Sequence, residues 1–250
     1  MNRFEELFGA SKPIIAMLHL KSDVHMDMAS RAKQEIALYY DNGVDAVLVE
    51  NYFGSVDDCQ EVLAYLQAQY PDKPYGVNVL GDWYKAFQLA QQYNAAFLQI
   101  DSVCGHLSPG RDPWFAKELA CARQKSRAAV LGGVRFKYQP VNSGRTLEED
   151  LQLGMQRCDA IVVTGDGTGR PTPPDKLYEF RKTVGPFPLI VGAGVTNLSI
   201  EPTLRDADGA IIGSWFKDNH KDHGDVLAEH VREIVQKARR ARSPSNRTGA

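Results

Sequence analysis

No stretch of the chain approaches the ~20 consecutive apolar residues that a membrane-spanning helix needs, so membrane contact is expected to be peripheral at most. The N-terminal stretch MNRFEELFGASKP is too acidic, and its apolar run too short, for a signal peptide, so none is expected. Cysteine is scarce: Cys59, Cys104, Cys121 and Cys158 form no C-x-x-C pair, which suits reduced thiols in the cytoplasm. Charge of one sign is also missing overall, since 29 basic residues face 31 acidic ones and the net charge is -2. That balance argues against a nucleic-acid partner, although the split is uneven. From Lys237 onward there are five basic residues and no acidic one, leaving a net of -7 over 1–236. The basic surplus lies at a predicted helix end, where it complements the helix dipole.

With 250 residues, 43% hydrophobic and 24% charged, the chain is neither collagenous, coiled-coil nor disordered. It is long for one sandwich and ordinary for one α/β barrel. Eight short apolar runs read as strands, beginning near Ile14, Asp45, Tyr75, Ala96, Ala129, Asp159, Pro188 and Gly209. Between and after them, helical spacing covers 28–42, 57–69, 84–93, 113–127, 146–156, 173–183, 198–205 and 225–240. Strict βα alternation demands a parallel sheet with right-handed crossovers. Eight such units in one domain of 1–240 predict a (β/α)8 TIM barrel. A doubly wound open sheet is the competitor, but no G-x-G-x-x-G follows the first strand. Residues 1–12 are expected to form a short helix under the barrel, and 241–250 a flexible tail.

Barrel chemistry sits at the C-terminal strand ends, on inward positions. Alternation along strands aims Asn78 inward in strand 3 and gives Gln99 and Asp101 one parity in strand 4. In strand 5 it turns Arg135 and Lys137 inward and leaves Val134, Phe136 and Tyr138 under helices. Strand 1 ends at His19, strand 2 at Glu50-Asn51 and strand 6 at Thr164. This ring reads in two ways. Glu50, Asp101, Arg135 and Lys137 either neutralise one another as a buried ion-pair layer or face a ligand.

Strand 7 runs into Gly192-Ala193-Gly194 and strand 8 into Gly213-Ser214-Trp215-Phe216-Lys217. Glycines there let backbone N–H groups approach a phosphate, with a helix start at Asn197 and Lys217 adding positive character. The alternative is tight turns alone. The loop Gly165-Asp166-Gly167-Thr168-Gly169-Arg170 is not a P-loop, because no Gly-Lys-Ser/Thr follows; it reads as a lid or as a plain turn. His220 and His223, with Asp218, Asp222 and Asp225, sit in what reads as a solvated charged loop rather than a metal site, so no metal is expected.

Five stretches together resemble one family: KPIIAMLHL, GVDAVLVENYFG, YGVNVLGD, DAIVVTGDGTG, and IVGAGVTN with DGAIIGSWFK. The Glu50-Asn51 strand end, the GVNVL strand and the V-T-G-x-x-T-G loop resemble the BtpA/SgcQ family over about residues 12–238. The resemblance implies a TIM barrel. Some members are linked to photosystem I biogenesis, others sit among sugar-utilisation genes, and no reaction is attached to the family as a whole. The chain departs from the family pattern at KSDVHMDM after strand 1, at YFGSVDD after Asn51, and at Tyr138 where strand 5 usually ends Lys-His.

Two functions follow as expectations. One is an enzyme on a small phosphorylated, sugar-like ligand. Glu50 and Asp101 would then act as acid and base of an isomerase or epimerase, or Lys137, activated by Arg135, would form an aldolase-type Schiff base. His19, Asn51, Asn78, Arg135 and Thr164 would bind substrate, and Gly192, Gly194, Gly213 and Ser214 its phosphate. The other is a non-catalytic assembly factor. No cofactor is expected, and a homo-oligomer is compatible with either function.

Overall fold

A computed structural model describes residues 2–242. Eight parallel strands close into one barrel in chain order: β1 (Ile14–Leu18), β2 (Ala46–Glu50), β3 (Tyr75–Asn78), β4 (Phe97–Cys104), β5 (Ala129–Val134), β6 (Ala160–Val163), β7 (Leu189–Val191) and β8 (Gly209–Ile212). Closure is made where Ile14 and Ala16 of β1 register with Ala210 and Ile212 of β8. The helices are α1 (Arg3–Phe8), α2 (Met28–Asp41), α3 (Val56–Gln69), α4 (Trp83–Gln92), α5 (Asp112–Lys125), α6 (Leu147–Arg157), α7 (Pro174–Val184), α8 (Ile200–Asp206) and α9 (Ala228–Arg242). This is the (β/α)8 TIM barrel expected from the alternation. Of the expected tail, 241–242 continue α9, and 243–250 lie outside the described residues. Among the described residues, no helix is long and apolar enough to cross a membrane.

Local signals start the helices. Side chains of Asp27, Ser55, Asp82 and Thr146 accept backbone N–H bonds at the heads of α2, α3, α4 and α6, and Ser55 and Thr146 complete capping boxes with Asp58 and Glu149. Alternation then divides the apolar residues into two cores. Val47, Val49, Val77, Leu98, Val130, Ile161 and Val163 face the helices. Ile15, Met17, Ala46, Leu48, Phe97, Ala129, Leu131, Ala160, Val162, Ile190 and Ile211 fill the barrel.

The short first helix lies beneath the barrel as expected. Phe4 and Phe8 of α1 belong to the inner core, and Phe8 meets Phe97 edge-on at 5.9 Å. Asn2 donates to the Asp159 carbonyl at 2.9 Å, and Arg3 reaches the carbonyls of Arg123 and Ala128. Phe97 fills its layer only because its β3 neighbour is glycine: a Cβ on Gly76 would stand 2.4 Å from the Phe97 ring.

That fit is testable by urea unfolding. Gly76→Ala overpacks the layer and is expected to cost about 1–3 kcal/mol, and Phe97→Leu in the same chain is expected to recover part of the loss. A Gly76→Ala protein as stable as the parent contradicts this packing.

Candidate active site

The inward position at the top of each strand continues the parity of the inner core. These positions are His19, Glu50, Asn78, Asp101, Gly133, Thr164, Gly192 and Gly213. The first four strands therefore end in polar side chains, and three of the last four end in glycine. The result is a lopsided mouth with a cavity of about 140 Å³. Its floor includes Met17, Phe136 and Ile211, and its walls include Glu50, Asp101, Lys137 and the turns Gly192–Gly194 and Gly213–Ser214.

On the polar side, one amide joins two carboxylates. Asn78 Nδ2 donates to Glu50 Oε2 at 2.6 Å and to Asp101 Oδ1 at 3.0 Å. Gln99 Nε2 adds a second donor to Asp101 Oδ1 at 3.1 Å. Glu50 is only 6% exposed. Burial, and then the charge of Asp101, push its carboxyl up from the ordinary 4.5 to about 7, against the pull of the Asn78 bond and Lys137. His19 Nε2 lies 3.9 Å from Glu50 Oε1. Burial and the charge of Lys217 push the His19 imidazole down to about 3, so it is neutral at physiological pH.

The other binding candidates hold the rim. Asn51 Oδ1 accepts the Leu80 N–H at 2.8 Å and so fixes the loop after β3. Thr164 Oγ1 accepts the Lys137 N–H at 3.0 Å, and Lys137 Nζ reaches Thr168 Oγ1 at 3.4 Å. On the glycine side, Gly194 has φ +68, and a Cβ there would lie 2.2 Å from the Arg170 carbonyl oxygen. The loop 165–171 thus packs directly on the β7 turn. Neither Gly194 nor Ser214 spends its N–H on a turn or loop bond among the described residues, and both line the cavity. Backbone donors at a tight glycine turn suit an anion.

Three expectations are corrected. Arg135 does not point into the barrel. The chain leaves the sheet after Val134, Arg135 takes φ +46, and its Nε bonds Asp150 Oδ2 at 3.0 Å beside α6. Phe136 takes the inward place instead, and Tyr138 lies at the rim with its hydroxyl accepting the Thr168 N–H at 2.9 Å. Arg135 is thereby removed as an activator of Lys137, and the four-membered ion-pair layer does not form. Lys217 is turned away as well: its Nζ bonds the buried Glu35 of α2 at 2.9 Å. Asn197 does not start a helix, because α8 begins at Ile200, and its side chain bonds Glu233 at 2.7 Å.

Sequence reasoning missed the loop residues that close the mouth. Tyr52 packs against His19 with the rings tilted at 37° and their centroids 4.8 Å apart, and donates to Asp222 at 3.1 Å. Trp215 stacks on His220 at 3.9 Å, and His220 in turn on His230. Tyr52 and His220 lie on irregular segments and Trp215 on a single 3-10 turn (Ser214–Phe216), where no periodicity marks which way a side chain faces; His230 is on α9. Among the described residues, no group of three or more His, Cys, Asp or Glu is placed to hold a metal.

The raised Glu50 predicts a pH-dependent stability. The neutral carboxyl is favoured by the fold, so this contribution is complete below 4.5 and is lost as pH rises through about 7. Between those limits the parent should lose up to about 3 kcal/mol relative to Glu50→Gln. Urea midpoints across the range check this, and parallel profiles for the two proteins contradict it.

Comparison with known proteins places the chain. The BtpA family pattern matches residues 10–240. An uncharacterised protein of Thermococcus kodakarensis is 31% identical over 259 residues, covering 94% of this chain and 98% of its own. The photosystem I biogenesis protein BtpA of a Synechocystis strain is 25% identical over 248 residues, covering 88% and 84%. Among solved structures, one described as native KDPGal shares the fold with a TM-score of 0.66 at 14% identity, covering 92% of this chain and 95% of its own. With its barrel and its sequence in agreement, this chain belongs to the BtpA family.

Proposed function

We propose that the chain is an enzyme that moves a proton on a small phosphorylated, sugar-like metabolite, as an isomerase or epimerase, with Glu50 as its acid–base group. The observation that carries this reading is a carboxyl at the barrel mouth whose surroundings push it up to about 7. A general base works best when it titrates near the working pH, and a nearby carboxylate with a separate role is the usual way to arrange this. A structural layer gains nothing from two carboxylates sharing one amide at a cavity wall.

In this reading the backbone N–H groups of Gly194 and Ser214 hold the phosphate. Glu50 in its carboxylate form takes a proton from the carbon beside a carbonyl. The C–H electron pair becomes the enediolate double bond, and the carbonyl oxygen gains the charge, which the Lys137 ammonium offsets. Glu50, now neutral, returns the proton to the former carbonyl carbon, while the proton of the adjacent hydroxyl passes to the former carbonyl oxygen. The oxyanion is thereby neutralised and the new carbonyl stands on the carbon first deprotonated, which completes an isomerisation; Asp101 is the second group available to an epimerisation. Glu50 is suited to both half-steps because burial and the charge of Asp101, set against the Asn78 bond and Lys137, bring its two forms near balance.

A second reading has a specific support. Lys137 Nζ has the Thr168 hydroxyl as its hydrogen-bond partner, and no carboxylate lies within 4.0 Å of it among the described residues. Its amine can add to a substrate carbonyl and, with loss of water, form a Schiff base, Glu50 supplying the proton for the departing oxygen. The Synechocystis relative's name supports a third, a non-catalytic assembly role, in which neither residue would be needed.

One panel separates these. Phosphorylated aldoses and ketoses are incubated with the protein in D2O and followed by proton NMR. Deuterium is expected at the carbon beside the carbonyl of at least one compound, with the rate falling roughly 100-fold or more in Glu50→Gln. Borohydride added to the same mixtures is expected to leave Lys137 unmodified. A trapped Lys137 adduct favours the Schiff base, and no exchange, no adduct and no binding across the panel favours the assembly role.

A further inference from the structure

We propose that the site accepts monophosphates whose remaining part is a neutral polyol or an amine, and that it discriminates against those carrying a second acid group, such as phosphorylated sugar acids. The inference rests on the phosphate reading above and specifies the substrate class within it.

Donors and charges facing the cavity are few and unevenly placed. Lys137 is the only lysine or arginine among the residues that line it. Three cations close behind the walls are spent elsewhere. Arg135 pairs with Asp150 at 3.0 Å, Lys217 with Glu35 at 2.9 Å, and Lys176 donates to the Thr164 carbonyl at 2.7 Å. His19 is held neutral by its burial. A phosphate on the Gly194 and Ser214 turns has Lys137 as the one lysine or arginine of the lining to share, and the lining holds no second lysine or arginine for another anion.

The far end of the cavity presents the opposite chemistry. Both amides there point their donors inward: Asn78 Nδ2 serves Glu50 and Asp101, and Gln99 Nε2 serves Asp101. All of these bonds on Asp101 fall on Oδ1, so Oδ2 has no protein partner among the described residues, and Asp101 lines the cavity. An open carboxylate oxygen accepts from a hydroxyl or an ammonium. A ligand carboxylate placed there meets like charge, with both N–H groups of Asn78 committed and one N–H of Gln99 against the charge of Asp101. A protonated Glu50 offers one O–H, against the two acceptor oxygens of the newcomer and the charge of Asp101. Rejection by an unpaired like charge is a common route to specificity.

Calorimetry at neutral pH on the full chain tests this with four probes: inorganic phosphate, a hexose monophosphate, the matching amino-sugar monophosphate and the matching aldonic-acid monophosphate. The neutral and amino compounds are expected to bind at least tenfold more tightly than the acid. Asp101→Asn, which removes the charge and adds an amide donor, is expected to shrink that gap by tenfold or close it. An acid that binds as tightly as the neutral sugar in the parent protein overturns the inference while leaving the phosphate reading intact. A gap that persists in Asp101→Asn also overturns it, because the discrimination then has another origin. Failure of all four probes to bind overturns the phosphate reading and this inference with it.

Discussion

An eight-stranded barrel closed by parallel hydrogen bonds offers each strand one inward position at its C-terminal end, and the eight residues at those positions determine what lies above them. Here they divide by side. His19, Glu50, Asn78 and Asp101 occupy β1 to β4, while Gly133, Gly192 and Gly213, with Thr164, occupy β5 to β8. Side chains on one half and bare backbone on the other make an off-centre cavity with acceptors at one end and N–H groups at the other. Burying polar groups at such a place costs free energy unless they are paired. The pairing that exists, one asparagine amide between two carboxylates, leaves the system short of donors. Burial and the charge of Asp101 raise Glu50, and one oxygen of Asp101 stays open.

The surrounding charges are arranged to keep other cations away from this cluster. Asp150, fully buried, collects Arg135, Arg145 and Ser143, and Asp112 collects Arg145 and Arg157. This network fastens the segment after β5 to α5 and α6. It holds Arg135 in its left-handed conformation, and so carries Phe136 and Lys137 to the cavity. On the other side, Arg31 and Lys21 grip Asp225, tying the loop after β8 to the chain around the start of α2. The Asp222 carbonyl of that loop faces His19 Nδ1 at 3.4 Å. The mouth is thus walled by loops whose ion pairs are satisfied outside it. Lys137 is left as the one lysine or arginine on the cavity lining.

Much of this was legible in the sequence, because regular strands obey alternation. The barrel, its strand positions and the inward direction of Asn78 and Asp101 follow from period-two patterning with βα spacing. Alternation failed at the one place where the chain stops being a strand early. Nothing in GGVRFKY marks the turn at Arg135, whose partner Asp150 lies on a helix fifteen residues on. Lys217 was misjudged for a related reason: proximity to a glycine turn in sequence says nothing of Glu35, 182 residues away. The aromatic rim of Tyr52, Tyr138, Trp215 and His220 lay on loops, whose facing is decided by tertiary contacts alone. Glu50 was named from its strand end, but the upward push on its carboxyl was out of reach, since it depends on the depth of burial and on the nearness of Asp101.

Glu50 is expected to change protonation near neutral pH because it is buried beside Asp101. Carbon-13 NMR of the side-chain carboxyl of Glu50, titrated in the intact protein, measures this without any substrate. The account predicts a midpoint near 7 that moves downward when Asp101 becomes asparagine. A Glu50 midpoint close to its ordinary 4.5, or one indifferent to Asp101→Asn, contradicts it.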